Sequence, residues 1–532
     1  MTALPASVGG AFFFWSESMD WILPLVSVAI GAVLLFEGIK SYRKSSTVGE
    51  FFLMGGKLST RGIVGTLIAT NLSLGNFIYL CAIWGYFFGL SGMFWIVVCI
   101  FFIYVGFYVY HNKIASYVED RNNSGTLHEF ISNNYHNVTG SDVTTQVRLV
   151  ASLATITCLL IALTLELHLA ALLVSRLLSL ELSIAFMGLA ALVAAYAAVG
   201  GFRAVVITDI FQSSFLALAI VLFFVVAYLN TDSPPVTPYG DAFRGAGHFF
   251  KGAGWYNALS IVVIGFGWFL VTMDTWQRNC AARSIDKSLK GAMIGCGLMV
   301  LAVVMWTYVG IYDRLAIFPS LEGAALQAHS GGYNPFLDFF YFMPLEQGIW
   351  KLFGGLIALA LVLAGLSTTD TFLTVCGHSL VSDILIGVKK RSSFGDLTPE
   401  QSLAFTTLGR AIIVGMGIAV IMVWFIFAHL QILYDPLTLF FVAYSVQYAL
   451  LCPVIFAMRK NKLPAKAAMW SIGLGILTSL FFGLGSAIRL AAGGGPIMGF
   501  APEVWLALTP VMTVIVGGLV LLLAGLKATA AE

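Results

Sequence analysis

Apolar runs of about 20 residues recur along this chain from near one end to the other, and they leave very few architectures open. Stretches such as 148–175, 404–428 and 503–526 are long enough to cross a bilayer as helices. They are too long and too uniform to be the alternating strands, about ten residues each, of a membrane barrel. Charged residues occupy 10% of 532 positions, against 59% hydrophobic. Soluble domains carry roughly 25%, so this is too few to cover a water-soluble surface. The chain is expected to be an all-α membrane protein of about 13 transmembrane helices. The spans lie near 20–39, 58–81, 86–111, 148–175, 180–199, 204–229, 255–277, 288–312, 348–386, 404–428, 433–457, 466–489 and 503–526.

Basic residues test that count. With the N-terminus outside, 22 of the 28 Lys and Arg fall on one side, from Lys40 through Arg148, Arg278 and Lys389 to Lys527. The other side keeps Arg176, Arg244, Lys251, Arg314, Lys351 and Arg489. Such a bias orients the chain in a plasma (inner) membrane with a cytoplasmic C-terminus. The loop 112–147 is polar and is expected to carry a short amphipathic helix around 126–134. The connections near 230–254 and 313–347, rich in Gly, Pro and aromatics, are candidates for covering an external vestibule.

Several function classes fall away. Net charge of +2 gives no reason to expect a nucleic-acid partner. The seven cysteines form no CxxC pair and read as small buried hydrophobes. His128-Glu129 lacks a second His at the HExxH spacing, so no metalloenzyme is expected. Residues 1–19 hold no Lys or Arg, which argues against a cleaved signal peptide. A channel is disfavoured because polar residues form local clusters rather than a continuous stripe.

Those clusters carry the chemistry. Gly200-Gly201-Phe202-Arg203 leads into Thr208-Asp209, a carboxylate inside an apolar run, and an acid at membrane depth costs several kcal/mol unless it is neutralised. Thr66 to Asn76 gathers hydroxyls, amides and a glycine in mid-span, a pattern suited to a helix that breaks and offers carbonyls to a cation. Ser367, Asp370 and Thr371 share a helical face, three and four residues apart, and offer oxygen ligands to a hard cation. Each lone hydroxyl also has a plain reading, back-bonding to its own helix or close helix packing.

The stretch from Gly200 to Gln212 resembles the GGxxAVxxTDxxQ signature of sodium/solute symporters, relatives of the sodium–glucose and sodium–proline transporters. Ala69-Thr70-Asn71-Leu72-Ser73 resembles that family's first core helix, and Leu366-Ser367-Thr368-Thr369-Asp370-Thr371 its eighth. Trp276-Gln277-Arg278 with Ala281-Ala282-Arg283 is similar to its QRxxAAK stretch. The resemblance implies a LeuT-like 5+5 inverted repeat with extra helices at both ends. The expected divisions are 1–47 peripheral, 48–230 and 231–460 as the two repeats, and 461–532 peripheral. It also implies a sodium site at Ala69, Leu72, Ala364, Ser367 and Thr368. A second site, for sodium or a proton, would use Asp209, Ser367, Asp370 and Thr371, as in some members of the family; those members have a serine where this chain has Asp370.

By the same resemblance the substrate lies between the first, third, sixth and tenth core helices. Candidates are Asn71, Ser73, Asn76, Glu166, Trp268, Tyr444 and Gln447. His168 and Asp274 are weaker candidates, and Asp274 could simply pair with Arg278. Glu166, with no arginine clearly at the midplane, favours an amine, an amino acid or a neutral polar solute over a strongly anionic one. Glu166 could equally bond a neighbouring helix. The expected function is sodium-coupled uptake of a small polar solute by alternating access, not enzymatic, with solute, sodium and lipid as partners. Proton coupling, or a transporter-fold sensor acting through a separate partner, are the alternatives. Solute identity and oligomeric state stay open.

Overall fold

The computed structural model describes residues 22–136, 143–230, 252–312, 349–389, 393–430, 436–459, 463–491, 495 and 501–531. Within them the chain is helical, and extended pairing is confined to two isolated bridges, Leu58 with Ala282 and His136 with Pro464. Helices α1 (Ile22–Tyr42), α2 (Val48–Leu53) and α3 (Thr60–Asn71) lead into a π-helical turn at Leu74–Tyr79 and then α4 (Leu80–Glu119). The next are α5 (Leu127–Asn133), α6 (Val143–Leu178), α7 (Leu182–Asn230), α8 (Trp255–Val271), α9 (Met273–Ala281) and α10 (Ile285–Tyr312). Helix α11 (Ile349–Ser379) continues through π-helical turns at Leu380–Val388. Then come α12 (Pro399–His429), α13 (Pro436–Tyr448), α14 (Leu451–Met458), α15 (Ala465–Ser479), α16 (Gly485–Ala491) and α17 (Pro502–Ala531).

Ten described helical segments are long and apolar enough to cross a membrane, or eleven if the bent pair α8–α9 is one span. The expected 13 is not reached by that measure, and glycine breaks account for part of the difference. A straight α7, at 49 residues, would run about 74 Å at 1.5 Å per residue, more than twice the roughly 30 Å hydrocarbon core. It does not run straight. Gly201 adopts φ 63° and ψ −161°, a conformation that L side chains rarely reach. A Cβ there would also sit 2.6 Å from the Phe51 ring. Helix α4 breaks in the same way at Gly89, with φ 55° and ψ −133°.

The centre of the molecule is α6, α11 and the span Thr438–Met458, the most deeply buried spans, with α7 packed on α11 and α1 on the outside of α7. Helix α4 lies against both α8 and α10, while α17 packs on α15 and α13. Exposed leucines, isoleucines and phenylalanines crowd α1, α12 and α17, as lipid-facing helices require. The cysteines are all free and six of the seven are buried, as small core residues.

The region expected to be amphipathic is different in character. Helix α5 does form, capped by Thr126, whose side-chain oxygen accepts from the Glu129 N–H at 3.1 Å. Yet Leu127 through Ser132 are all buried, so it has no wet face. Its polar residues find partners inside: His128 Nδ1 lies 2.7 Å from Asp383, and Glu129 accepts from Tyr117 at 2.6 Å and from the Ser124 N–H at 2.7 Å. Arg148, counted above as a loop charge, is buried as well and bonds Asp383 at 2.9 Å. The vestibule connections fall largely on 231–251 and 313–348, outside the described residues.

Candidate functional site

Two helices break beside one cavity. The first break ends α3 at Asn71 and restarts at Leu74, with Leu72 (φ −82°, ψ 45°) and Ser73 between the halves. The second bends the chain by 42° at Thr272, between α8 and α9. A break leaves the final carbonyls of one half-helix and the first N–H groups of the next without helical partners. Those orphaned groups are what the surrounding side chains satisfy.

On the carbonyl side, Ile68 keeps a backbone donor, the Leu72 N–H at 2.8 Å. The Ala69 carbonyl lies 2.7 Å from the Ser367 hydroxyl, and the Thr70 carbonyl 3.1 Å from the Thr368 hydroxyl. Both hydroxyls also lie near the Ala364 carbonyl, at 3.1 and 3.2 Å. Three carbonyls and two hydroxyls from α3 and α11 thus converge in a buried spot. The donor set is all oxygen and uncharged, the kind that suits a hard cation able to displace hydroxyl protons from carbonyl oxygens. Ala69, Ala364, Ser367 and Thr368 are brought together, and Leu72 forms the break beside them.

The acids lie one layer away. Asp209 accepts from the Thr66 hydroxyl through Oδ2, and its Oδ1 has no partner. Asp370 accepts from the Tyr196 hydroxyl at 2.6 Å and from Thr208 at 3.3 Å, and its Oδ1 is likewise unpartnered. Thr208 and Asp209 are consecutive, so the two carboxylates stand within electrostatic reach of each other. The face expected to hold Ser367, Asp370 and Thr371 divides. Ser367 and Thr371 both meet α3, Thr371 at 3.1 Å from the Thr70 hydroxyl, whereas Asp370 meets α7.

Arg278 joins this layer to the cavity. It is buried, pairs with Asp274 at 2.5 Å, and donates to the Thr66 and Thr70 hydroxyls. The Thr66 hydroxyl in turn donates to Asp209, so a continuous hydrogen-bonded path runs from Asp274 on the cavity wall to Asp209. The pairing of Asp274 with Arg278 was legible from their spacing, but the reach of Arg278 to the first core helix was not. Tyr196 was missed too; a lone tyrosine in the small-residue run 194–198 was the available signal.

Of the substrate candidates, Asn71, Ser73, Asn76, Trp268, Tyr444 and Gln447 line the cavity. Trp268 donates to Asn71 at 3.0 Å and packs on Tyr444 with ring centroids 4.6 Å apart. Gln447 donates to Thr155 at 3.1 Å and to the Val271 carbonyl. Glu166 is not on the wall. Its carboxylate accepts from the N–H groups of Gly75 and Asn76 at 2.9 and 2.8 Å and from the Asn76 side-chain amide at 2.5 Å. His168 is also elsewhere, accepting from Trp424 at 3.2 Å.

The profile of the sodium:solute symporter family matches residues 51–475. The chain belongs to the sodium:solute symporter family. A stretch of 232 residues is 25% identical to the sodium/sialic acid symporter NanT of Aliivibrio fischeri, covering 42% of this chain. The chain spans 43% of the length of that relative. Among solved structures, the substrate-bound outward-open state of a Na+-coupled sialic acid symporter superposes with a TM-score of 0.63 at 16% identity, over 95% of this chain and 98% of that one. A manganese transporter of Eremococcus coleocola gives a TM-score of 0.51 at 12% identity, over 89% and 95%. Identities this low speak to fold, and the fold of this family member is LeuT-like. The residues at its first break fit the family's coupling ion: a hard cation takes oxygen donors, and the carbonyls and hydroxyls of α3 and α11 supply them.

Proposed function

We propose that this protein is a secondary active transporter that couples sodium entry to uptake of a small polar solute. The observation that carries the reading is the convergence of Ala69, Thr70 and Ala364 carbonyls with the Ser367 and Thr368 hydroxyls. That site joins α3 of the first expected repeat to α11 of the second. A sodium ion there, held also by the Leu72 carbonyl, ties the two halves together and favours the state with the higher affinity for solute. Linkage makes the effect mutual, so solute tightens sodium by the same factor. The cavity between the two broken helices takes the solute, with Asn71, Ser73, Asn76, Trp268, Tyr444 and Gln447 on its wall. The protein sits in the plasma (inner) membrane with its N-terminus outside.

The unpartnered Oδ1 atoms of Asp209 and Asp370 support a second coupled cation, either sodium or a proton held by one of the two acids. The experiment is uptake into proteoliposomes of the purified protein under imposed sodium, potassium and proton gradients. Solutes are first ranked by sodium-dependent thermal stabilisation, with sialic acid included because two of the proteins named above are sialic acid symporters. Uptake driven by sodium supports the reading. Uptake driven by protons alone moves the coupling to the two acids. Stabilisation by a solute that is never transported replaces the transporter with a sensor.

A further inference from the structure

The second half of the first broken helix begins at Ser73 and runs on into α4. Its N-terminus presents free N–H groups and the positive end of a helix dipole at membrane depth. Broken helices in transporters commonly aim this end at an anionic group of the substrate. Here the place is taken. The Glu166 side chain, fully buried, accepts three hydrogen bonds from Gly75 and Asn76 within 2.9 Å. Charge-assisted bonds of that number make a complete carboxylate receptor, and the protein's own α6 fills it.

That occupancy fixes what the wall can offer. The Asn76 amide must turn its NH2 toward Glu166, since a carboxylate only accepts, which leaves Oδ1 as the free atom. The Gln447 amide must turn its NH2 toward the Val271 carbonyl for the same reason, which leaves Oε1 free. Asn71 is engaged at both ends, its NH2 on the Leu67 carbonyl and its oxygen on Trp268. The Tyr444 hydroxyl has no partner. Among the described residues, no Lys, Arg or His lines the cavity, and the one charged residue on it, Asp274, is a carboxylate. The wall atoms left without a partner are therefore two amide oxygens, which only accept, and one hydroxyl that can act either way; the Asp274 carboxylate beside them is paired with Arg278.

We infer that the solute is rich in N–H or O–H donors and carries no carboxylate, an amine or amide type of molecule, and that Glu166 sets this specificity by occupying the anion seat at the helix break. Glu166 is a positioning residue: it acts through Asn76 and the helix end. The inference rests on the transporter reading for the cavity's role, but not for the Glu166 geometry.

Two experiments on the full-length protein at saturating sodium test it. The first compares solutes sharing a skeleton, namely alanine, alaninamide and ethylamine, together with acetamide, urea and sialic acid, by thermal stabilisation. Carboxylate-free donors are expected to bind at least about tenfold more tightly than their carboxylate counterparts, a difference of roughly 1.4 kcal/mol. Equal or tighter binding of alanine or of sialic acid overturns the assignment. The second uses Glu166→Ala, which reopens the seat. Formate is expected to stabilise E166A with a saturable midpoint while leaving the wild type unmoved, and potassium chloride at equal ionic strength is not expected to match it. A variant indifferent to formate overturns the proposal. If E166A cannot be recovered even in formate, Glu166→Gln carries the test: removing the charge should shrink the carboxylate penalty about tenfold, and an unchanged penalty overturns it. Sodium-driven uptake of a carboxylate in preference to its amide would sink this inference and leave the transporter reading intact. Binding of the amide without uptake would do the reverse.

Discussion

Replacing Ser367 and Thr368 by alanine together is the sharpest test of the sodium site. Each hydroxyl serves two states. Without the ion it covers a carbonyl orphaned by the break, Ala69 at 2.7 Å and Thr70 at 3.1 Å. With the ion it becomes a ligand. A hydrogen-bond-scale contact to a charged group is worth about 1.5–3 kcal/mol, so losing both ligands weakens sodium binding by about 3–6 kcal/mol. At 1.4 kcal/mol per decade, that is at least a roughly hundredfold rise in the sodium concentration for half-maximal effect. The fold should also lose stability, because two buried carbonyls are left bare at about 1–3 kcal/mol each. The assay is thermal unfolding of the double variant across a sodium titration with potassium balancing the ionic strength, alongside sodium-driven uptake. The two effects separate there: the first moves the titration midpoint and the second moves the sodium-free baseline. A variant whose baseline falls while its sodium midpoint stays within about threefold of wild type would mean the hydroxyls are helix caps and sodium binds elsewhere.

Arg278→Met removes the partner of Asp274 and one donor each from Thr66 and Thr70, and should cost about 3–5 kcal/mol as for a broken buried ion pair. Adding Asp274→Leu should recover part of that loss, and a double variant less stable than R278M would contradict the pairing. Arg148→Met is expected to cost a similar amount, about 3–5 kcal/mol, since Asp383 keeps only His128 and Thr126. Hydrogen exchange across 124–133 should rise in that variant, and unchanged protection there would show that α5 does not depend on the cluster. Gly201→Ala combines a left-handed φ, worth about 1–3 kcal/mol, with a collision against Phe51. A clear drop in unfolding temperature is expected, and an unchanged one would mean the break is not needed.

Much of this protein was legible before any coordinates. Hydrophobic run length dictated a helical membrane protein, because a bilayer admits few ways to satisfy a backbone. The mid-span run Thr66–Asn76 predicted a broken helix, because polar groups at that depth are tolerated where they line a site. Asp209 and Asp370 stood out for the same reason. Sequence did not determine where side chains separated by a hundred residues or more would meet. It marked Glu166 as a charged residue in a span, and tertiary packing decided that its charge faces the helix end rather than the cavity. It read His128-Glu129 and Arg148 only as a loop pair and a loop charge and gave Asp383 no part, and folding gathered all four into one buried network. It counted 13 spans, while the path of α4 and α7 turns on the backbone angles of two glycines. Composition and periodicity report the solvent each segment needs. The partner that neutralises a buried charge depends on how helices pack, and that information is spread over the whole chain.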